Sequence, residues 1–263
     1  MNTNKMKRNR IIANHGSSFV VILCILLFWQ ASTQIFTIPT WLLPAPTVIL
    51  TEAVAGWPNY QHHLISTTKL ALLGLFIGVS VGLLVAIVLH LLPKVKRAVY
   101  PLLILSQNIP IIVLAPLLVI WFGFGVMPKV IVITLVCFFP IVVATLDGLR
   151  QTNPELMHYM RMIGASKQQI FLKLEFLHAL PAIFSGLKIS GTYSVMGAVI
   201  SEWLGANQGI GVYMTLAQSS FRTDRVFVAI VYIMILCMIL FVIIQTLEKT
   251  WLKGREKGRM EHE

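Results

Sequence analysis

One carboxylate, Glu202, stands at the end of a long apolar run in the string GAVISEWLG. An ionisable side chain at the edge of hydrocarbon is costly, so it marks either a functional position or an anchoring contact. Both readings stay open: Glu202 lines a pathway or gate, or it is a structural anchor. Tyr193 and Ser194 lie on the same run and are candidates for the same pathway. A second set, Glu155, His158 and Arg161, recurs every third residue and so shares one face of a helix. His62 and His63 are adjacent, but no cysteine or third histidine stands at ligand spacing, which argues against a metal centre there. Cys24, Cys137 and Cys237 each fall inside an apolar run and read as small buried packing residues. The chain has no G-x-x-x-x-G-K-[ST] phosphate loop, no H-E-x-x-H and no G-x-S-x-G. It therefore has no phosphate loop to hold ATP, and it lacks the common zinc-hydrolase and serine-hydrolase signatures.

The elements that position these residues are membrane helices. Of 263 residues, 57% are hydrophobic and 12% charged, and the mean hydropathy is +0.80. A soluble domain carries about a quarter charged residues, so the composition gives an integral membrane protein. The net charge of +11 does not point to nucleic acid, because the basic residues lie between apolar runs rather than in one stripe. A hydrocarbon core of roughly 30 Å needs about 20 helical residues. Six runs meet that length within a few residues: 17–36, 70–92, 99–120, 130–146, 181–204 and 226–247. Their continuity excludes a transmembrane barrel, whose strands alternate. The first run follows Lys5, Lys7, Arg8 and Arg10 but is too long for a signal-peptide core and has no A-x-A site, so it is expected to stay as a helix. With both termini inside, 17 of the 21 Lys and Arg are cytoplasmic, and only Lys69, Lys129, Arg222 and Arg225 are external. The domain reading is a cytoplasmic tail at 1–16, the spans within 17–247, a cytoplasmic loop at 150–180, and a charged, frayed tail at 248–263.

The loop carries its own punctuation. Asn153 is an N-cap, Pro154 fits the first helical position, and Glu155 suits the positive end of the helix. Leu156, Tyr159, Met160 and Ile163 then form an apolar stripe. Gly164 ends the helix in a left-handed turn, and Ser166 with Gln169 makes a capping box for a second helix. That helix is expected to reach Leu180 and to break or kink at Pro181. Elsewhere, Gly74, Gly78 and Gly82 share one face of span two and permit close helix approach. Pro110 and Pro116 should kink span three, and Gly123 with Gly125 should turn the chain into span four. Ser185, Gly186, Ser190, Gly191, Thr192, Ser194 and Gly197 suit a bundle interior or a pathway. The stretches TWLLPAPTVIL and GANQGIGVYMTLAQSSFRTDR are expected to be external loops.

With Gly164 at its head, GASKQQIFLKLEFLHALP resembles the cytoplasmic "EAA" loop of ABC-importer permeases. The family motif is E-A-A-x-x-x-G, followed nine residues later by I-x-L-P. Here His158, Tyr159 and Met160 stand at the Glu-Ala-Ala positions. Leu174, Phe176 and Leu177 replace the later residues, and a Leu-Pro pair comes further on as Leu180-Pro181. The pieces Asn108-Ile109-Pro110, Trp121-Phe122-Gly123-Phe124-Gly125, Lys129 and Phe138-Phe139-Pro140 are similar to the subfamily importing sulfonates, taurine, nitrate and thiamine-pyrimidine precursors. The likeness runs from about Pro44 to Leu247.

The resemblance implies an all-α, six-helix permease of the type I importer fold, paired as a dimer. A separate ATPase would bind ATP and Mg, and an external binding protein would deliver the solute, so this chain itself would hold no cofactor. It implies that Glu155, His158, Arg161, Gly164, Ala165 and Ser166 couple to the ATPase. It also favours a role for Glu202, a place commonly held by glutamate in the subfamily. TYSVMGAVISEWLG with GVYMT most resembles the thiamine-pyrimidine branch. Two other classes are weighed. A stand-alone ion-coupled transporter would need buried carboxylates and an inverted repeat, and the spans show almost none of the first and no visible trace of the second. An intramembrane enzyme would need paired polar groups inside spans, where only His90 and the margins qualify.

Overall fold

A computed structural model describes residues 20–260, with side chains described for residues 20–252. The expected N-terminal tail, residues 17–19 of the first span and residues 261–263 lie outside the described residues. Everything described is helical or in short connections, as expected. The helices are α1 (Val20–Ile35), α2 (Pro46–Ala55), α3 (Trp57–Leu91), α4 (Pro93–Ser106), α5 (Ile111–Phe122), α6 (Val126–Arg150), α7 (Pro154–Met162), α8 (Lys167–Ile170), α9 (Phe176–Glu202), α10 (Ile210–Ser219) and α11 (Thr223–Met260). A π-helical turn, Phe171–Glu175, joins α8 to α9.

Among the described residues, four helical stretches are long and apolar enough to cross a membrane: α3, α6, the run Lys167–Glu202, and α11. The pair α4 and α5 makes a fifth if it is one span bent by 99°. α1 shows 16 residues from the first described position, below that length as described.

Several bounds differ from the sequence reading. α3 begins thirteen residues before the apolar run of span two, because its polar first turns still hold a helix and only the later turns are built for lipid. TWLLPAPTVIL and the stretch after Gly209 are not wholly loops, since α2 and α10 form within them. Both are ten-residue helices, too short to leave a clear periodic signal. Pro181 does not break its helix: Lys167–Glu202 continues through it. Ala179, Leu180 and Ile183 flank Pro181 and are buried with Leu149 of α6, so packing holds the helix on both sides of the missing hydrogen bond. The tail expected to fray continues α11 to Met260, in keeping with its Lys, Arg and Glu content.

The chain divides into two compact units. One comprises the chain up to Gln61 together with Tyr213–Val231. In it Trp29 stacks at a tilt on Phe227, with ring centres 5.4 Å apart. Glu52 accepts hydrogen bonds from Arg222 at 3.1 Å and from Arg225 at 2.8 Å, and Arg222 also pairs with Asp224. Two of the four cations expected on the external side are thus locally neutralised. Cys24 is exposed on α1, against the buried reading, whereas Cys137 is buried.

The second unit, His62–Val212 with Tyr232–Glu263, holds the helix bundle. Its core cluster joins Ala71 of α3, Ile133 and Cys137 of α6, Val195 and Ala198 of α9, and Leu240 of α11. Small residues bring these helices together. A Cβ at Gly74 would lie 2.4 Å from Ile133, one at Gly78 2.7 Å from Cys137, and one at Gly82 2.9 Å from Ile141. These partners also repeat every fourth residue, so the glycine face of α3 is a packing face against α6. Gly186 of α9 approaches Ala144 and the Pro140 carbonyl of α6 in the same manner. Ser190 donates to the Cys137 carbonyl at 2.8 Å, tying α9 to α6 where both are buried. Large apolar side chains such as Phe76 and Met238 remain exposed, as lipid-facing positions would be.

Gly78→Ala is expected to be strongly destabilising. The added Cβ meets the Cys137 Cβ and the Thr134 backbone, neither of which can rotate away. Overpacking of this kind costs about 1–3 kcal/mol. A thermal midpoint in detergent should fall for Gly78→Ala and stay at wild type for Ser80→Ala, whose side chain is exposed.

Candidate functional site

The first site is the segment from Asn153 to Glu175. The Asn153 side chain accepts the Glu155 N–H at 2.8 Å, capping α7 behind Pro154. At the other end Gly164 has φ +78. Its N–H reaches the Arg161 carbonyl at 3.1 Å, and the Ala165 N–H reaches Met160 at 3.0 Å. This is a Schellman turn, and it needs the left-handed residue that glycine supplies without a Cβ clash. Ser166 and Gln169 then cap each other: Ser166 Oγ accepts from the Gln169 N–H at 3.2 Å, and Gln169 Oε1 accepts from the Ser166 N–H at 2.8 Å. The capping box starts α8 at once.

Two features follow from this geometry. α7 presents most of its apolar stripe outward: Tyr159 is 58% and Ile163 61% exposed, Leu156 is also exposed, and Met160 is half-buried. Glu155, His158 and Arg161 are exposed on the same short helix, and Arg161 reaches only the Met157 sulfur. A cleft of about 590 Å3 lies alongside, lined by Gln151, Leu156, Lys173, Leu177 and His178. The π turn is fixed from outside: His90 Nε2 of α3 lies 3.0 Å from Glu175 Oε2, and the His90 ring lies near Phe171. A rigid seat thus supports an apolar, charged-edged helix that nothing described covers.

The second site surrounds Glu202, which is 1% exposed. Its Oε1 accepts from the Thr67 hydroxyl at 2.7 Å and its Oε2 from the Gly211 N–H at 2.8 Å. Thr67 Oγ1 accepts from the Ile210 N–H at 2.8 Å, and His63 Nδ1 from the Gly209 N–H at 3.0 Å. Three consecutive N–H groups at the start of α10 are therefore satisfied by side chains from α3 and α9. A helix start leaves such donors orphaned, and a carboxylate there also meets the positive end of the helix dipole. Glu202 acts as a tertiary helix cap in this conformation.

The structure does not bring the three candidate pathway residues together. Ser194 is buried and donates to the Gly191 carbonyl of its own helix at 2.8 Å. Tyr193 is half exposed and lines a different space, a cleft of about 690 Å3 at the break between α4 and α5. Sequence reasoning missed Thr67, His63 and Glu175 as partners. The closeness of Gly209 and Gly211 to Glu202 in sequence was the one available hint.

Helical stretches long and apolar enough to cross a membrane, packed through small residues, define a polytopic membrane protein. The chain belongs to the family of binding-protein-dependent transport system inner membrane components, which matches residues 78–253. It is an inner-membrane permease of an ABC importer. It is 36% identical over 89% of its length to the formylaminopyrimidine transport permease protein ThiX of Halalkalibacterium halodurans, covering 94% of that protein. Riboflavin transport system permease protein RibX of Chloroflexus aurantiacus is 30% identical over 88% of this chain and 87% of its own. Taurine transport system permease protein TauC of Escherichia coli is 28% identical over 85% and 83%. A crystal structure of an amino acid ABC transporter with histidines shares the fold, with a TM-score of 0.61 at 18% identity over 76% of this chain and 96% of that one.

Proposed function

We propose that this permease carries a pyrimidine precursor of thiamine into the cytoplasm, driven by a separate ATPase that binds ATP and Mg. The solute reading rests on the 36% identity to a protein named for formylaminopyrimidine transport. An external binding protein presents the solute to a pair of permease copies. The segment Asn153–Glu175 docks on the ATPase, through Glu155, His158, Arg161 and the apolar stripe, with Gly164, Ala165 and Ser166 setting the angle of the turn. The observation that carries the docking is the exposed apolar face of α7 on a firmly capped, anchored seat.

The solute is tested by isolating the binding protein of this system and measuring its affinity for formylaminopyrimidine, riboflavin and taurine. Tight binding of the pyrimidine alone is expected, and tight binding of taurine or riboflavin instead would overturn the solute reading.

Both termini are cytoplasmic in this proposal. Alkaline phosphatase, which matures only outside the cytoplasm, should be inactive when fused near Asn153 and active near Asn59 or Gln208. An active fusion near Asn153 would reverse the orientation.

A further inference from the structure

The break between α4 and α5 serves neither the helix cap nor the docking segment. The two helices together have the length and hydropathy of a span, yet they are bent by 99° at the break. Pro110, which caps α5 at φ −60, has no N–H to continue α4 and pushes Ile109 away from helical geometry. The 14 residues of α4 rise only about 21 Å, so the break falls inside a hydrocarbon core of roughly 30 Å. Irregular backbone at that depth is tolerated only where it is buried in protein or lines a cavity.

A cavity is there. The cleft of about 690 Å3 is lined by Gln107, Asn108, Phe139 and Tyr193 among others, and none of its lining side chains is charged. Ile111 at the start of α5 lines the cleft, and among the described residues its N–H has no acceptor. Asn108 donates its amide N–H to the Ile104 carbonyl at 2.9 Å, which leaves its Oδ1 as an acceptor. Phe139 and Tyr193 add ring faces suited to stacking. The volume is within the range of roughly 300–1,000 Å3 that holds a small ligand.

We propose that this cleft is the station that takes the solute inside the membrane, and that it selects an uncharged, flat heteroaromatic bearing both donors and acceptors. The solute class rests on the pyrimidine reading above. The Ile111 N–H suits a ring nitrogen or carbonyl of such a solute, Asn108 Oδ1 suits an amino group, and Phe139 and Tyr193 offer ring faces to its plane. A sulfonate would find neutral donors and the dipole of α5 but no cationic side chain. That dipole is equivalent to about half a charge, too little to offset several kcal/mol for desolvating a full anion.

The test uses cells carrying the complete transporter, with radiolabelled formylaminopyrimidine and taurine as probes. Wild type should import the pyrimidine and not taurine. Tyr193→Ala should lower maximal uptake about tenfold at unchanged membrane abundance, with the half-saturating concentration held by the binding protein, while Tyr193→Phe restores most of it. Phe139→Ala should behave as Tyr193→Ala does. A wild type that imports no pyrimidine overturns the solute reading and this assignment together, and taurine import overturns the uncharged class. Pyrimidine import that stays normal in both alanine variants overturns the cleft alone. Loss of uptake together with loss of self-association in native gels would make the cleft an interface between copies instead.

Discussion

Replacing Gly209 with alanine is expected to remove most of the folded protein from the membrane. Gly209 has φ +135, and a Cβ there would lie 2.0 Å from Glu202 Cδ and 2.3 Å from its Oε1. The carboxylate cannot move away without releasing the Gly211 N–H and the Thr67 hydroxyl, both held below 3 Å. Each buried donor left unpaired costs about 1–3 kcal/mol, and the backbone strain adds to that. Losses of 1–2 kcal/mol already change abundance several-fold, so accumulation should fall further than that. Glu202→Gln is the milder probe. Its amide oxygen can replace one carboxylate oxygen, but its NH2 then faces a donor, and the charge at the start of α10 is lost. Quantitative immunoblots of washed membranes should rank wild type above Glu202→Gln and Glu202→Gln above Gly209→Ala. Equal abundance of all three would mean that the cap contributes little and that Glu202 is free for another role.

The second large effect concerns coupling. Gly164→Val is expected to lower membrane abundance several-fold at most and, per copy of permease in the membrane, to lower solute uptake by about a further tenfold, the scale of a coupling free energy near 1.4 kcal/mol. Gly164 has φ +78, and among the described residues nothing lies within 4 Å of where its Cβ would stand. The cost is therefore backbone strain alone, about 1–2 kcal/mol, relieved by opening the Schellman turn and changing the angle between α7 and α8. Tyr159→Asp tests the same contact without strain, because the side chain is already exposed. It should leave stability near wild type and remove ATPase co-purification. Ser80→Ala, an exposed change on α3 outside the segment, serves as the control and should transport normally. Normal uptake by Gly164→Val and Tyr159→Asp would make the segment an ordinary surface hairpin.

The capped segment from Asn153 to Glu175 was legible because its signals are local. Asn153, Pro154, Gly164, Ser166 and Gln169 each act within three residues of the group they satisfy, so spacing alone revealed them. The glycine face of α3 was legible for a similar reason, since a four-residue period fixes a face whatever the partner. Glu202 shows the opposite case. Its partner Thr67 is 135 residues away, and no periodicity relates the two, so the contact could not be foreseen from the sequence. His90 and Glu175, 85 residues apart, escaped notice likewise. Pro181 does not end its helix, for a third reason: Ala179, Leu180 and Ile183 are buried with Leu149 of α6 on both sides of it. Pro110 obeyed the local rule for proline and exceeded it, since it heads a new helix at a full break rather than kinking one span.

The central claim is that this chain moves its solute by harnessing a separate ATPase. The most direct measurement is uptake into proteoliposomes holding the purified transporter, with the binding protein outside, ATP and Mg inside, and no ion gradient. The account predicts uptake that requires enclosed ATP, requires an ATPase subunit that co-purifies with this chain, and persists when protonophore and sodium ionophore are added. Uptake by this chain alone, driven by a proton or sodium gradient without ATP, would contradict it.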